Sequence, residues 1–99
     1  VVAKLGGLAM PDNGWGWHER ETPPTSDEFV LAQQRYYDHM IDCFGAARCM
    51  FESNFPVDAG TCDYATLWNA FKRLTSGASA DEKAALFHDT ARRTYRLEI

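Results

Sequence analysis

The sequence predicts an α/β fold with two parallel strands and three helices, incomplete on its own and part of a larger α/β protein. Three observations carry that prediction. The chain opens on a short β-favouring stretch, and a capped helix follows a long loop. A continuous apolar run, Cys49-Met50-Phe51, then reads as a strand covered on both faces, as parallel strands are. Two strands joined by a helix run parallel in nearly every known case. A two-stranded parallel sheet is not stable alone, because its edges lie open, so these strands need neighbours.

The elements follow in order. Residues 1–8 read as the first strand and carry Gly6-Gly7. Residues 9–24 show neither helical nor strand period and hold Pro11, Gly14, Gly16, Pro23 and Pro24, with Trp15, Trp17 and His18 among them. Loops of that length are uncommon and often functional. Residues 25–44 read as a helix. Thr25 and Glu28 form a capping box, and Asp27 and Glu28 place negative charge at the positive end of the helix dipole. Phe29, Tyr36, Tyr37, Met40, Ile41 and Phe44 draw an apolar stripe, and a left-handed Gly45 is expected to stop it. Residues 48–55 read as the second strand, ended by Pro56. Asp63 caps a helix over 63–76, with Tyr64, Leu67, Trp68, Phe71 and Leu74 on one face and Gly77 at its end. Ser79 and Glu82 open a last helix over 80–95.

At 99 residues and 45% hydrophobic content, the chain is sized for one small folded domain rather than a disordered one. Ten Lys and Arg against fourteen Asp and Glu give a net charge of -4, which disfavours nucleic acid as a partner. No apolar run is long enough for a membrane span and no signal peptide opens the chain, so a cytoplasmic protein is expected. The opening Val1-Val2-Ala3, without an initiator Met, suggests a piece of a longer protein. Cys43, Cys49 and Cys62 are odd in number and lack metal-like spacing, so they read as reduced thiols.

The stretch Cys49-Met50-Phe51-Glu52-Ser53-Asn54-Phe55-Pro56 resembles the last-strand signature of the amidohydrolase-2 family of TIM-barrel metal-dependent hydrolases. Many members read Met-Phe-Gly-Ser-Asp-Trp-Pro there. Lys4-Leu5-Gly6-Gly7-Leu8 is similar to the preceding barrel strand, often Lys-Leu-Ser-Gly. Tyr64 to Leu97, with Leu67-Trp68-Asn69-Ala70-Phe71 and Arg93-Thr94-Tyr95-Arg96-Leu97, is similar to the two terminal helices. The resemblance implies the C-terminal quarter of a (β/α)8 barrel, including strands seven and eight. It further implies a metal-dependent hydrolase, or a related lyase, acting on a small carboxylated substrate by attack of activated water on a polarised carbonyl. The family's His ligands lie on earlier strands. No cofactor is therefore expected in this chain, a zinc-like divalent metal is expected in the full-length parent, and the isolated chain is expected to be inactive.

The family residue that remains is an Asp at the end of strand eight, and Asn54 stands there. An amide takes no proton as a carboxylate does and is a poor ligand for such a cation. Asn54 therefore orients substrate or water, or another base serves the site, or the chemistry has been lost. Asp58, four residues on, is expected to be a solvated loop residue, the alternative being that it replaces the carboxylate if its loop folds back. Catalytic groups of this fold sit at the C-terminal ends of strands and on the following loops. That makes His18 the catalytic candidate of the first loop, with Arg20 and Glu19 as substrate-binding candidates, against the alternative that all three brace the loop. Trp15 and Trp17 either wall a pocket or form the loop's own core, the latter favoured. Glu52 and Ser53 read as strand residues, and His39 and His88 as helix-surface ones. Apolar strand residues Val1, Val2, Leu5, Met50 and Phe51 lead to an expected homo-oligomer through exposed strands. The competing reading is a non-enzymatic binding or assembly module derived from such a barrel.

Overall fold

The computed structural model describes residues 1–98. Its order is β1 (Ala3–Leu5), α1 (Ser26–Phe44), β2 (Cys49–Phe51), α2 (Tyr64–Leu74), α3 (Ala80–Ala84) and α4 (Thr90–Tyr95). A π-helical turn, Ala85–Asp89, joins the last two helices. The strands pair in parallel, Ala3 with Cys49, Lys4 with Met50 and Leu5 with Phe51. One further bond, from the Glu52 N–H to the Leu5 carbonyl at 3.0 Å, extends the ladder. Both strands are shorter than the spans 1–8 and 48–55. Gly7 at φ +80° and Asn54 at φ +57° turn the two chains out of the extended region just beyond the pairing.

Side-chain caps set the helix starts. Thr25 and Glu28 close a capping box on α1, Ser79 and Glu82 close another on α3, and the Asp63 carboxylate accepts the Thr66 N–H at 2.7 Å on α2. The ends differ from expectation. Gly45 takes φ 81° with ψ 146°, so it is not left-handed helical, and it turns the chain through Ala46–Arg48 into β2. α2 ends at Leu74 rather than at Gly77, because the buried Thr75 hydroxyl donates to the Phe71 carbonyl at 2.9 Å and closes the last turn.

The core lies on one face of the strand pair. Leu5, Cys49 and Phe51 alternate onto it, against Phe29 and Tyr37 of α1, Leu67, Phe71 and Leu74 of α2, and Leu86 of the π turn. Phe51 stacks on Phe71 with centroids 4.3 Å apart and meets Phe87 at 5.0 Å. Cys49 and Cys62 are buried free thiols, and Cys43 is an exposed one. Burial, with Asp58 and Asp63 nearby, pushes Cys62 up to about 11. This packing removes the premise for association through apolar strand faces, since Leu5, Met50 and Phe51 are only 4%, 3% and 7% exposed. Val1 and Val2 stay open, and each strand keeps one edge unpaired in the sheet. No helix of the described residues is long and apolar enough to cross a membrane.

Phe71 is wholly buried at the junction of both strands and α2. Phe71→Ala is expected to cost about 3–5 kcal/mol, read as a lowered urea midpoint with unchanged slope. An unchanged midpoint would place Phe71 outside the cooperative core.

Candidate functional site

Beyond β1 the chain runs from Gly6 to Ala9 without strand or helix, yet Gly7, Leu8 and Ala9 are buried. Buried backbone polar groups must find partners. Here side chains provide them. The Tyr37 hydroxyl donates to the Gly6 carbonyl at 3.0 Å and Gln33 Nε2 to the Leu8 carbonyl at 2.8 Å, both from α1. Asn13 Nδ2 donates to the Gly7 carbonyl at 2.6 Å. From beyond β2, the Thr61 hydroxyl donates to the Ala9 carbonyl at 2.9 Å, while the Ala9 N–H donates to Asp58 Oδ2 at 3.3 Å. Burial pushes the Tyr37 hydroxyl well above its ordinary value, with Asp58 and Glu52 adding to it, so Tyr37 stays a protonated donor.

The segment beyond β2 folds back on the first. Asn54 Nδ2 donates to Asp58 Oδ1 at 2.8 Å, and the Asp58 N–H donates to the Asn54 carbonyl at 3.0 Å. The Phe55–Pro56 peptide between them is cis. Asp58 is therefore not the solvated loop residue expected from sequence. It is fully buried, and each carboxylate oxygen has a donor. Burial pushes its carboxyl above the ordinary range and Glu52 adds to that, against the two hydrogen bonds. With its amide nitrogen given to Asp58, Asn54 has its side-chain Oδ1 as its remaining side-chain acceptor.

Glu52 occupies the strand face opposite the core, reached by alternation from the buried Phe51. Its Oε2 lies 3.7 Å from the Lys4 ammonium, which also sits 6.0 Å from the Tyr95 ring centroid. Tyr95 and then Glu52 hold the Lys4 ammonium above its ordinary value. A Cβ on Gly6 would stand 2.3 Å from Glu52 Cγ, so only glycine lets this side chain cross β1. Sequence reading gave Glu52 no role. The available signal was the register that sets Gly6 and Glu52 side by side.

The first-loop candidates sit elsewhere. His18 and Glu19 belong to the turn Trp17–Glu19, with Nε2 and Oε1 3.5 Å apart. Arg20 forks onto the Glu28 carboxylate at 2.5 and 3.4 Å, raising its own proton affinity and lowering that of Glu28. Its guanidinium thus braces the loop against the cap of α1. No described hydrogen bond or ion pair joins His18, Glu19 or Arg20 to Asn54 or Asp58. Trp17 packs edge-on against Phe29 at 4.7 Å and joins the core. Trp15 stacks on Trp17 at 5.7 Å, stays half-exposed, and borders a cavity of about 420 Å³ with Gly6, Gly7, Tyr36 and Met40.

Among the described residues no three His, Cys, Asp or Glu side chains are grouped to hold a metal ion. Of the acids beyond β2, Glu52 pairs with Lys4 and Asp58 has both oxygens engaged, so the described residues of this chain do not by themselves fit a metal site. Residues 1–97 match the amidohydrolase family model. The chain belongs to the amidohydrolase family. It is 40% identical over 97 residues to the uncharacterized protein y4mH of Sinorhizobium fredii, covering 98% of this chain and 28% of that protein. It is also similar to the crystal structure of an amidohydrolase from Burkholderia multivorans with bound zinc, at 30% identity and a TM-score of 0.80. That match covers 98% of this chain and 32% of the other, and a second crystal form with bound HEPES matches equally. The amidohydrolase chain thus spans less than a third of the length of each. Its two parallel strands and its helices are the C-terminal quarter of a (β/α)8 barrel. In such barrels the C-terminal ends of the strands carry the chemistry, and here Gly6–Ala9 and Glu52–Asp58 stand at those ends.

The raised carboxyl of Asp58 fixes a pH dependence. Folded Asp58 binds its proton more tightly than unfolded Asp, so its contribution to stability is full below the ordinary 3.8 and is lost as pH rises through the raised folded value. Asp58→Asn should flatten stability against pH across that window, followed by urea unfolding at a series of pH values. A variant that tracks the wild type across the window would show that Asp58 is not buried in solution.

Proposed function

We propose that this amidohydrolase chain is the C-terminal portion of a metal-dependent hydrolase acting on a small carboxylated substrate, and that the isolated chain lacks the activity. The observation that carries this reading is Asn54, fixed at the end of β2 by the buried Asp58 where a barrel does its chemistry. The zinc in the Burkholderia multivorans relative supports a divalent metal in the parent, held on ligands outside this chain. A neutral amide at Asn54 supports an anionic substrate, because it accepts hydrogen bonds without adding like charge beside a carboxylate. Asn54 then orients substrate or the attacking water.

Two measurements test this. Purified as 99 residues, the chain should carry no stoichiometric metal and hydrolyse no carboxylated lactone or ester, whereas the full-length parent should do both and lose turnover to a chelator. Turnover by the isolated chain, or a metal-free active parent, would overturn the corresponding half of the reading. In the parent, Asn54→Ala should lose about 1–3 kcal/mol of transition-state stabilisation, roughly tenfold to a hundredfold in kcat. Asn54→Asp should also lower turnover, by repelling an anionic substrate. If Asn54→Asp instead raised both metal content and rate, Asn54 would mark a decayed metal site.

A further inference from the structure

The hydrolase reading leaves open which group of this chain takes a proton, and the strand ends narrow the choice. Asn54 has none to exchange. Asp58 is fully buried, with both oxygens bonded to the two loops. His18 and Glu19 stand on the first loop with no described contact to the strand ends. Glu52 keeps 37% of its side chain exposed on the strand face opposite the core, in the layer just below Asn54. Its position is built from three directions. The Glu52 N–H is tied to the Leu5 carbonyl, Lys4 holds Oε2, and the bare Cα of Gly6 makes room for the rest of the carboxylate.

We infer that Glu52 is the carboxylate that activates water in this barrel, with Lys4 as the positioning residue that holds it across Gly6. The inference rests on the hydrolase reading above. Glu52 takes a proton from water as the water oxygen bonds to the ester or lactone carbonyl carbon, and the carbonyl π pair moves onto its oxygen. The tetrahedral adduct then re-forms the carbonyl and breaks the bond to the alkoxide oxygen. That oxygen receives the proton held by Glu52, leaving a carboxylic acid, an alcohol and ionised Glu52. Lys4 takes no part in the covalent changes. Its ammonium holds the carboxylate in place, and Tyr95 lies beside it.

The test uses the full-length parent against a panel of carboxylated lactones and esters. Glu52→Gln, which keeps shape and removes the base, should lower kcat by about a hundredfold to ten-thousandfold with KM little changed. Glu52→Ala should regain part of its rate when formate is added, a response that loss of a merely structural ion pair does not give. Lys4→Met should lower kcat less than Glu52→Gln, and Lys4→Arg should restore it. Wild-type kcat in Glu52→Gln, or an inactive Glu52→Ala without formate rescue, would overturn the assignment alone. Silence of the wild-type parent on the whole panel would overturn the hydrolase reading and this inference together.

Discussion

Buried backbone with no ladder to join is the constraint around which this chain is arranged. From Gly6 to Ala9 the polypeptide has left β1 and passes through the interior, where an unmet carbonyl or N–H costs roughly 1–3 kcal/mol. The carbonyls there draw on Tyr37, Asn13, Gln33 and Thr61, and the Ala9 N–H draws on Asp58. Three elements are thereby placed at once. Helix α1 must lie so that Gln33 and Tyr37, one turn apart, reach the Leu8 and Gly6 carbonyls. The segment beyond β2 must return far enough for both Asp58 and Thr61 to meet Ala9. The two strand ends are thus joined by side-chain hydrogen bonds past the point where the three-residue ladder stops.

The same arrangement sorts the charges. Asp58 is the acid most fully withdrawn from water, and the groups around it are held neutral by that environment. Tyr37 and Cys62 both rise, chiefly through burial and then through the Asp58 charge itself. Two N–H donors, from Ala9 and Asn54, offset part of its desolvation. Lys4 is on the other face of β1, where it meets Glu52. The core face of the strand pair is therefore apolar, and the opposite face carries the Lys4–Glu52 ion pair. A carboxylate can serve in chemistry only where a substrate reaches it, and that condition separates Glu52 from Asp58.

What the sequence disclosed was local. Capping boxes at Thr25 and Ser79 and the cap at Asp63 need only residues three apart, and all three stand where the pattern placed them. Strand lengths were not legible, because they end where Gly7 and Asn54 adopt positive φ, and neither residue type compels that. Asn54 was visible through its motif. Asp58 was not, since its burial depends on Ala9, far away along the chain. Gly6-Gly7 was visible as a pair, yet the two glycines serve separate ends: Gly7 turns the backbone, while Gly6 yields space to Glu52. His18, Glu19 and Arg20 were legible as neighbours in sequence, and their partners were not. Adjacency in sequence suggested a cluster, but the fold turns Arg20 back onto Glu28, eight residues on, where it serves helix α1.

The division between the two faces also separates a core that packs within this segment from an ion pair that does not join it. Phe29, Phe51, Phe71 and Leu86 belong to one buried cluster formed by α1, β2, α2 and the π turn. The Lys4–Glu52 pair is different. With side chains 52% and 37% exposed it sits in a solvent-screened setting, where such a pair contributes little. Further barrel strands beside β1 and β2 would replace that water with protein, and the same separation would then carry a far stronger interaction. Closure would also fix the direction of the free Glu52 oxygen, which in the open chain is restrained only by Lys4 and Gly6. The residues that shape this segment thus pack within it, whereas the Lys4–Glu52 pair would gain field and geometry from strands beside it.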